Sequence, residues 1–459
     1  MSKEKQKTYK PKPVSGFPEW LPEERLVEQK WLDHIRRTFE SYGFCSIETP
    51  SVEEIDVLLA KGEVDKEIYV LERLHKDEDE EKEARLALHF DQTVPFARYT
   101  AQHFNELVFP FKRYQMQRVW RGERPQMGRM REFTQCDIDV INVDNLPLAF
   151  DAEIPAMIYE TLAGLNIGRV QLRISNRKIL LGYLSVLGIN KTTSILSAID
   201  KLEKVGKEQT ELQIGLEIGL DKVGNRTEIV ENILQLVTIK ASPKEFSGLL
   251  RDFIARNDVI ARSDSDAAIQ IFNEGIEELS YVLDNLSHLP EGSVVADLSI
   301  VRGLDYYTGT VYETQLLDVP EFTGSVCSGG RYDDLASQYI NKKLPGVGIS
   351  IGFSRLFDVI RQSRPDLMNI GPKSPAHILM YTEDENLGST VNKTAQVLRK
   401  RGINVEVYHT VKKWDKHFKY AEKKMIPYIW YVRGENDHAV KAMSTGEQVK
   451  ADPQSWSKE

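Results

Sequence analysis

Four stretches of the sequence carry side chains whose types and spacing could do chemistry. In VWRGERPQMGRMREFTQCDIDVI, Arg121, Glu123, Arg124, Arg129 and Arg131 crowd around a turn made by Pro125 and Gly128. Several guanidiniums on one loop repel each other unless an anion joins them, and their planar donor forks match phosphate oxygens. A nucleoside triphosphate is the natural guest; the alternative is a solvated hairpin tip whose arginines pair with Glu123 and Glu132. LPGVGISIGFSRLFDVI places Gly346, Gly348 and Gly352 on a strand that turns into a helix bearing Arg355. Glycines there let a backbone approach a ligand, and the arginine could reach a terminal phosphate, although such strands also pack on helices for steric reasons alone. RGLDYYTGTVYE opens with Arg302, for which a core strand has no use, and SGGRYDDLA adds a tight glycine turn with Arg331. Neither a GxxxxGK[ST] loop nor a GxGxxG fingerprint after a strand occurs, so a nucleotide would be held by an antiparallel sheet and arginines instead of a helix N-terminus.

Those groups need elements to position them. PEERLVEQKWLDHIRRTFESYGF predicts a helix with Val27, Trp31, Leu32, Ile35 and Phe39 on one face, ending near Gly43. CSIETPSVEE then reads as a short strand stopped by Pro50. The charged run from Leu74 to Arg85 reads as a solvated hairpin tip, because its acids lack metal-ligand spacing. Two antiparallel strands are expected at Lys112–Arg121 and Glu132–Ile141, an amphipathic helix at 147–165, a strand at 169–175 and a polar helical module over about 180–290. Strand texture returns at 293–332, and after a proline-bearing linker the remainder alternates strand and helix as a small α/β domain does.

Composition sets the limits. At 459 residues with 41% apolar residues, two or three domains are expected. Three scattered cysteines, Cys45, Cys136 and Cys327, give neither a disulfide framework nor a zinc spacing and fit a reducing, cytoplasmic address. No signal peptide or membrane span is legible. The net charge of −9 divides into +4 over residues 372–459 and −13 over residues 1–371. A basic tail on an acidic body is compatible with a domain that touches phosphates, as it is with ordinary solvated charge.

Taken together, the motifs resemble those of the class II aminoacyl-tRNA synthetases. The long helix running into IETP resembles that class's first, dimer-forming motif, RGERPQMGRMREF its second and GVGISIGFSRLF its third. Within the class, RGLDYYTGTVYE and SGGRYDDL are similar to the two segments peculiar to the histidyl-tRNA synthetase family, and DQTVPFARY resembles the eukaryotic and archaeal-like form of its amino-acid-binding turn, with Asp91 where many bacterial members have a longer acid. The resemblance spans about residues 15–450. It implies an α+β fold: a class II antiparallel sheet flanked by helices, with a helical insertion and a C-terminal α/β anticodon-binding domain. It divides the chain into a flexible arm (1–15), a catalytic domain in two parts (16–175 and 291–368) around the insertion (176–290), and the anticodon-binding domain (373–459).

The same resemblance implies activation of histidine with ATP and Mg2+ and transfer to tRNA(His) by a homodimer without membrane association. Arg302 and Arg121 would be catalytic, at the α-phosphate and the amino-acid carboxylate. Glu123 would contact adenine with Phe133 stacked on the base, and Arg129 and Arg355 would clamp the β- and γ-phosphates. Asp91, Thr93 and Gln135 would surround the ammonium, while Asp139, Tyr306 and Tyr307 would line the imidazole pocket. Arg124 and Gln126 would face the tRNA acceptor end, and a basic helix from Lys412 to Lys424 with Trp414 would read the anticodon. No metal-binding residues are implied. From the residues alone, Asp139 in the period-two stretch CDIDVI could simply face solvent, and Tyr312 or Tyr332 could be core aromatics. The competing functional reading is a non-catalytic synthetase-like regulatory subunit of histidine biosynthesis.

Overall fold

Apolar residues at helical spacing bury one face of the helix Pro22–Ser41, with Val27, Trp31, Ile35 and Phe39 inside, and Gly43, at φ +79°, lies just beyond its end. The structure, a computed structural model, describes residues 9–59, 68–73, 85–189, 192–218, 226–257, 265–302, 307–334, 336–410 and 414–458. Tyr306, Lys412 and nearly all of the charged run 74–85 lie outside the described residues. The chain divides into two units, Met1–Pro18 with Asp33–Leu367 and Glu19–Leu32 with Met368–Glu459, so the first helix is shared between them.

Among the described residues, the larger unit is built on eleven strands: Cys45–Ser46 (β1), Val52–Glu54 (β2), Leu86–Leu88 (β3), Phe111–Trp120 (β4), Glu132–Ile141 (β5), Val170–Asn176 (β6), Lys240–Ala241 (β7), Val294–Asp297 (β8), Tyr307–Leu316 (β9), Cys327–Tyr332 (β10) and Gly346–Ile351 (β11). Nine form one sheet in the order β1-β4-β5-β11-β10-β9-β6-β8-β7, and β2 pairs with β3 separately. Every neighbour in the large sheet is antiparallel except β1 with β4 and β6 with β8. The hairpin β4–β5 is at the expected place. Pro50 separates two short strands instead of ending one, because β1 joins the large sheet and β2 the small one. SGGRY is a strand, not a turn: Gly329 is needed because a Cβ there would lie 2.0 Å from the Gly348 carbonyl oxygen.

Helices cover the sheet. Ala149–Gly164 is buried at Asp151, Ala152, Ile154, Pro155, Met157, Ile158, Thr161 and Leu162, which leaves it less one-sided than its sequence led one to expect. The helical region 176–290 is tied to the sheet at both ends. Glu278 of the helix Asp266–Asn285 accepts from Asn176 (2.8 Å) and Lys178 (2.6 Å), and β7 inside this region extends the sheet beyond β8. That two-residue strand is too short to register as a period in the sequence.

In the smaller unit, Ile378–Tyr381 (β12), Val405–Val407 (β13), Tyr428–Val432 (β14), His438–Ala442 (β15) and Gln448–Lys450 (β16) form a sheet in the order β13-β12-β14-β15-β16. The first three are parallel and flanked by the helices Gly388–Lys400 and Trp414–Lys424; the last two add an antiparallel hairpin.

Candidate active site

Polar residues at period two on β4 and β5 are brought to one place by strand register. Arg113 and Gly348 lie opposite Asp139, Gln115 and Ser350 lie opposite Asp137, and Gln117 lies opposite Gln135. Beside this stripe is a cavity of about 790 Å3, lined by Asp91, Thr93, Arg121, Glu123, Arg129, Phe133, Gln135, Arg302, Tyr307 and Arg355 among others. A smaller hollow of about 30 Å3 adjoins it and shares Thr93, Asp137, Tyr307, Ser328 and Ser350 with it. Asp139 and Tyr332 line only this hollow.

Cations gather at one end. Arg121 donates from Nε to the Phe90 carbonyl (3.0 Å), and its guanidinium lies 5.2 Å from the Phe133 ring centroid. Arg355, in the first turn of the helix Phe353–Ser363, donates to the carbonyls of Gly128 (2.8 Å) and Ser325 (3.1 Å). Gly128, at φ +67°, donates its N–H to Asp358 (3.1 Å), so the β4–β5 loop is pinned to that helix. Burial, together with the charges of Arg121, Arg129 and Arg302, pushes the Arg355 pKa down, with Glu123 opposing. An arginine stays protonated even so, and an anion entering among these cations would relieve the repulsion.

Arg302 sits at the mouth of β9 with φ +56°. Its Nη1 donates to Glu313 (2.8 Å) and its Nη2 to Ser328 (3.1 Å), two residues that face each other across β9 and β10. Arg129 pairs with Glu123, and Glu132 accepts from Arg118 and Trp120. The hairpin-tip pairing expected as the alternative is therefore present in part, within the wall of the cavity.

Carboxyl and hydroxyl groups line the adjoining hollow. Asp139 is buried; it pairs with the fully buried Arg113 (2.6 Å) and accepts from Tyr332 Oη (2.9 Å). The solvent-facing reading of Asp139 is thus overturned, because β11 and Tyr332 cover it. Of the two tyrosines that could be core aromatics, Tyr312 is one, donating to the Asp151 carbonyl (2.8 Å), whereas Tyr332 is buried with its hydroxyl on Asp139. Gly346 and Gly348 make room inside the sheet: a Cβ on Gly348 would lie 2.1 Å from the Asp139 carboxylate, and one on Gly346 would lie 2.3 Å from the Tyr332 ring. Their sequence signal was close backbone approach to a ligand; here the groups approached are Asp139 and Tyr332.

Other expectations move as well. Arg131 turns away from the cavity and donates to the Glu123 carbonyl (3.2 Å), while its own N–H bonds the Gly16 carbonyl (2.8 Å). Arg331 forms a buried pair with Asp151 (2.6 Å). Arg124 and Gln126 are exposed at the hairpin tip. In the smaller unit, Trp414 donates to Tyr431 Oη (2.5 Å), stacks on Phe418 and helps line a separate hollow of about 490 Å3.

Sequence reading missed Arg113, Asp137, Glu313 and Ser350. The signal was there in RYQMQ and QCDID, whose alternate residues are polar on strands that are otherwise buried, a pattern costly to bury without partners or a ligand. Asp137 shows the cost: burial raises its pKa from 3.8 to about 7, opposed by Arg113 and a Ser350 hydrogen bond and assisted by Asp139 and Asp91. Between about pH 4 and 7 the folded protein keeps this proton while the unfolded chain has lost it, so stability falls as pH rises through that window. The Asp137→Asn protein without ligands is expected to exceed the parent by about 3–4 kcal/mol at pH 8, the gap closing toward pH 4. Urea unfolding across that pH range checks it; a gap that does not vary with pH would contradict it.

Residues 16–356 match the family described as histidyl-tRNA synthetase, and residues 370–456 match one described as an anticodon binding domain. The chain is 51% identical to the histidine–tRNA ligase of Thermobifida fusca (strain YX), covering 98% of this chain and 99% of that one. It is 44% identical to the histidine–tRNA ligase of Micrococcus luteus, covering 96% and 95%. Among solved structures, histidyl-tRNA synthetase from Nostoc sp. PCC 7120 superposes with a TM-score of 0.83 at 37% identity over 97% of both chains. A Bacillus halodurans protein described as an ATP phosphoribosyltransferase regulatory subunit/histidyl-tRNA synthetase shares the fold, with a TM-score of 0.69 at 17% identity over 90% of this chain and 97% of that one.

Proposed function

The chain belongs to the histidyl-tRNA synthetase family, and on that premise we propose how its cavity carries out the family's reaction. The enzyme is a class II aminoacyl-tRNA synthetase that activates L-histidine with ATP and transfers histidine to the 3′ end of tRNA(His). In activation a histidine carboxylate oxygen attacks the α-phosphorus, the bond to the bridging oxygen breaks, and pyrophosphate leaves. Both reactants are anionic, so catalysis is mostly alignment and charge neutralisation.

In our reading Arg121 and Arg302 neutralise the α-phosphate and the carboxylate, and Arg129 and Arg355 hold the β- and γ-phosphates. Glu123 meets the adenine, which stacks on Phe133. Asp91, Thr93 and Gln135 receive the ammonium, and Asp139 and Tyr307 bound the ring pocket. The observation that carries this reading is the meeting of Arg121, Arg129, Arg302 and Arg355 around one cavity that adjoins a hollow lined by carboxyl and hydroxyl groups. Pyrophosphate exchange measured with each amino acid tests it: exchange driven by histidine alone is expected, and exchange with proline or threonine instead would overturn the specificity.

Magnesium enters this scheme with the substrate, as the ATP complex. Among the described residues no group of three or more His, Cys, Asp or Glu side chains could hold a metal ion, and the phosphate end is lined by arginines, so phosphate oxygens would supply its ligands. We assign the chain to a cytoplasmic homodimer, an address that its three free cysteines fit as a reducing compartment. Among the described residues no helix is long and apolar enough to cross a membrane.

The domain division also belongs to this reading: an arm (1–15), a catalytic domain (16–175 and 291–368) interrupted by the insertion (176–290), and an anticodon reader (373–459). Arg124 and Gln126 meet the acceptor end, and Trp414 stacks on an anticodon base. Base stacking is worth about 1–3 kcal/mol. Trp414→Ala is therefore expected to raise the KM for tRNA(His) roughly 10-fold or more and leave histidine-dependent pyrophosphate exchange unchanged; equal loss in both reactions would count against the assignment.

A further inference from the structure

The β4–β5 loop, whose Arg121, Glu123 and Arg129 line the large cavity, is held at its tip and at its neck. At the tip Gly128 is seated on Asp358 and Arg355. At the neck the loop meets the turn Val14–Phe17, at the end of the N-terminal arm. The Phe17 N–H closes that turn on the Val14 carbonyl (3.1 Å), and the Phe17 ring meets the Tyr69 ring edge-on. The Gly16 carbonyl accepts two backbone N–H groups where β5 begins, from Arg131 (2.8 Å) and Glu132 (3.2 Å). A side chain does not fit this seat: Gly16 has φ +85°, and a Cβ there would lie 2.8 Å from Arg131 Cγ and 2.9 Å from Pro125 Cγ.

Arg131 joins the turn to the loop. Its N–H is on Gly16, its carbonyl accepts the Arg121 N–H (2.8 Å), its Nε donates to the Glu123 carbonyl (3.2 Å), and its Nη1 reaches the Ser15 carbonyl (3.5 Å). One half-buried arginine that does not itself line the cavity thus fixes the backbone of two residues that do. Its rigid fork suits the task, because it addresses carbonyls of two segments at once, as a point-like ammonium does less well. We propose that Arg131 and Gly16 are positioning residues for ATP, forming a clasp that sets Arg121 and Glu123 at the spacing the nucleotide requires. The turn beyond the arm is thereby a working part of the site. This rests on reading the cavity as the ATP site and adds the device that aligns its wall. Alignment carries much of this catalysis, and a displacement of about 1 Å caused by a residue away from the chemistry can cost on the order of 10²-fold.

Arg131→Met tests the clasp by keeping an aliphatic stem against Gly16 while removing the side-chain donors. In histidine-dependent pyrophosphate exchange the KM for ATP is expected to rise about 10- to 100-fold, with the KM for histidine within about 2-fold of the parent. Arg131→Lys, which can still donate to one carbonyl, should fall between the two and carries the same comparison if the Met variant does not fold. Gly16→Ala pushes the Arg131 stem aside and should raise the ATP KM in the same way. Combined with Arg131→Met it should be worse than the poorer single variant by no more than about 3-fold, since both changes break one clasp. Melting midpoints without ligands should stay within about 4 °C of the parent. Equal rises in the ATP and histidine KM, or an ATP KM that follows a falling midpoint from variant to variant, would make the contact a structural tie and overturn the proposal. An unchanged ATP KM in Arg131→Met, or effects that multiply in the double variant, would end it too. Absence of histidine-driven exchange in the parent protein would instead overturn the reading of the cavity.

Discussion

Replacing Arg302 with alanine is expected to lower kcat for histidine activation about 10²- to 10³-fold, with the KM values for ATP and histidine moving far less. The guanidinium is half-buried and already aimed, its two nitrogens held by Glu313 and Ser328 from adjacent strands. Charge that develops on the α-phosphate would meet a cation needing no reorganisation, and such a donor acts mainly in the transition state. The fold should survive the change, because alanine is no worse than arginine at φ +56° and, among the described residues, the ion pair given up is the one with Glu313. Single-turnover pyrophosphate exchange at saturating substrates, alongside circular dichroism, is the measurement. Intact rates would remove Arg302 from the chemistry, and loss of fold would make it structural.

Arg113→Met should destabilise the larger unit by about 3–5 kcal/mol. Arg113 is fully buried, pairs with Asp139 and lies 4.2 Å above the Phe96 ring centroid. It is also the main opposing charge to the burial that raises the pKa of both Asp137 and Asp139. Without it two acids share a buried site with no cation between them. Adding Asp139→Asn to Arg113→Met should recover a large part of the loss, and the single variant's deficit should shrink at low pH as the carboxyls protonate. A deficit that is the same in the double variant and at every pH would show that Arg113 acts by packing alone.

Much of the framework was legible in the residues. Periodicity located the first helix and the β4–β5 hairpin, since apolar residues at 3.6 or 2.0 spacing can satisfy their burial only in those forms. Arginine types marked the cationic lining of the cavity, because four guanidiniums from three separate segments have few other uses in an acidic chain. Less legible were features defined by neighbours. SGGRY was read as a turn because glycine favours turns, while its real constraint is the backbone of β11 passing 2.0 Å from where a side chain would begin. Arg331 and Arg131 looked like ligand groups; tertiary packing gave the first to Asp151 and turned the second toward Gly16.

The sequence by itself determined most of the longer strands and helices, the family they compose, and the gathering of arginines in its motifs. Only the tertiary structure decided which polar side chains of β4 and β5 are spent on one another and which stay open to a ligand. That distinction depends on register: Arg113 opposite Asp139 and Ser350 opposite Asp137 are set by how strands far apart in the chain align, and a shift of one residue would turn every one of these side chains to the other face.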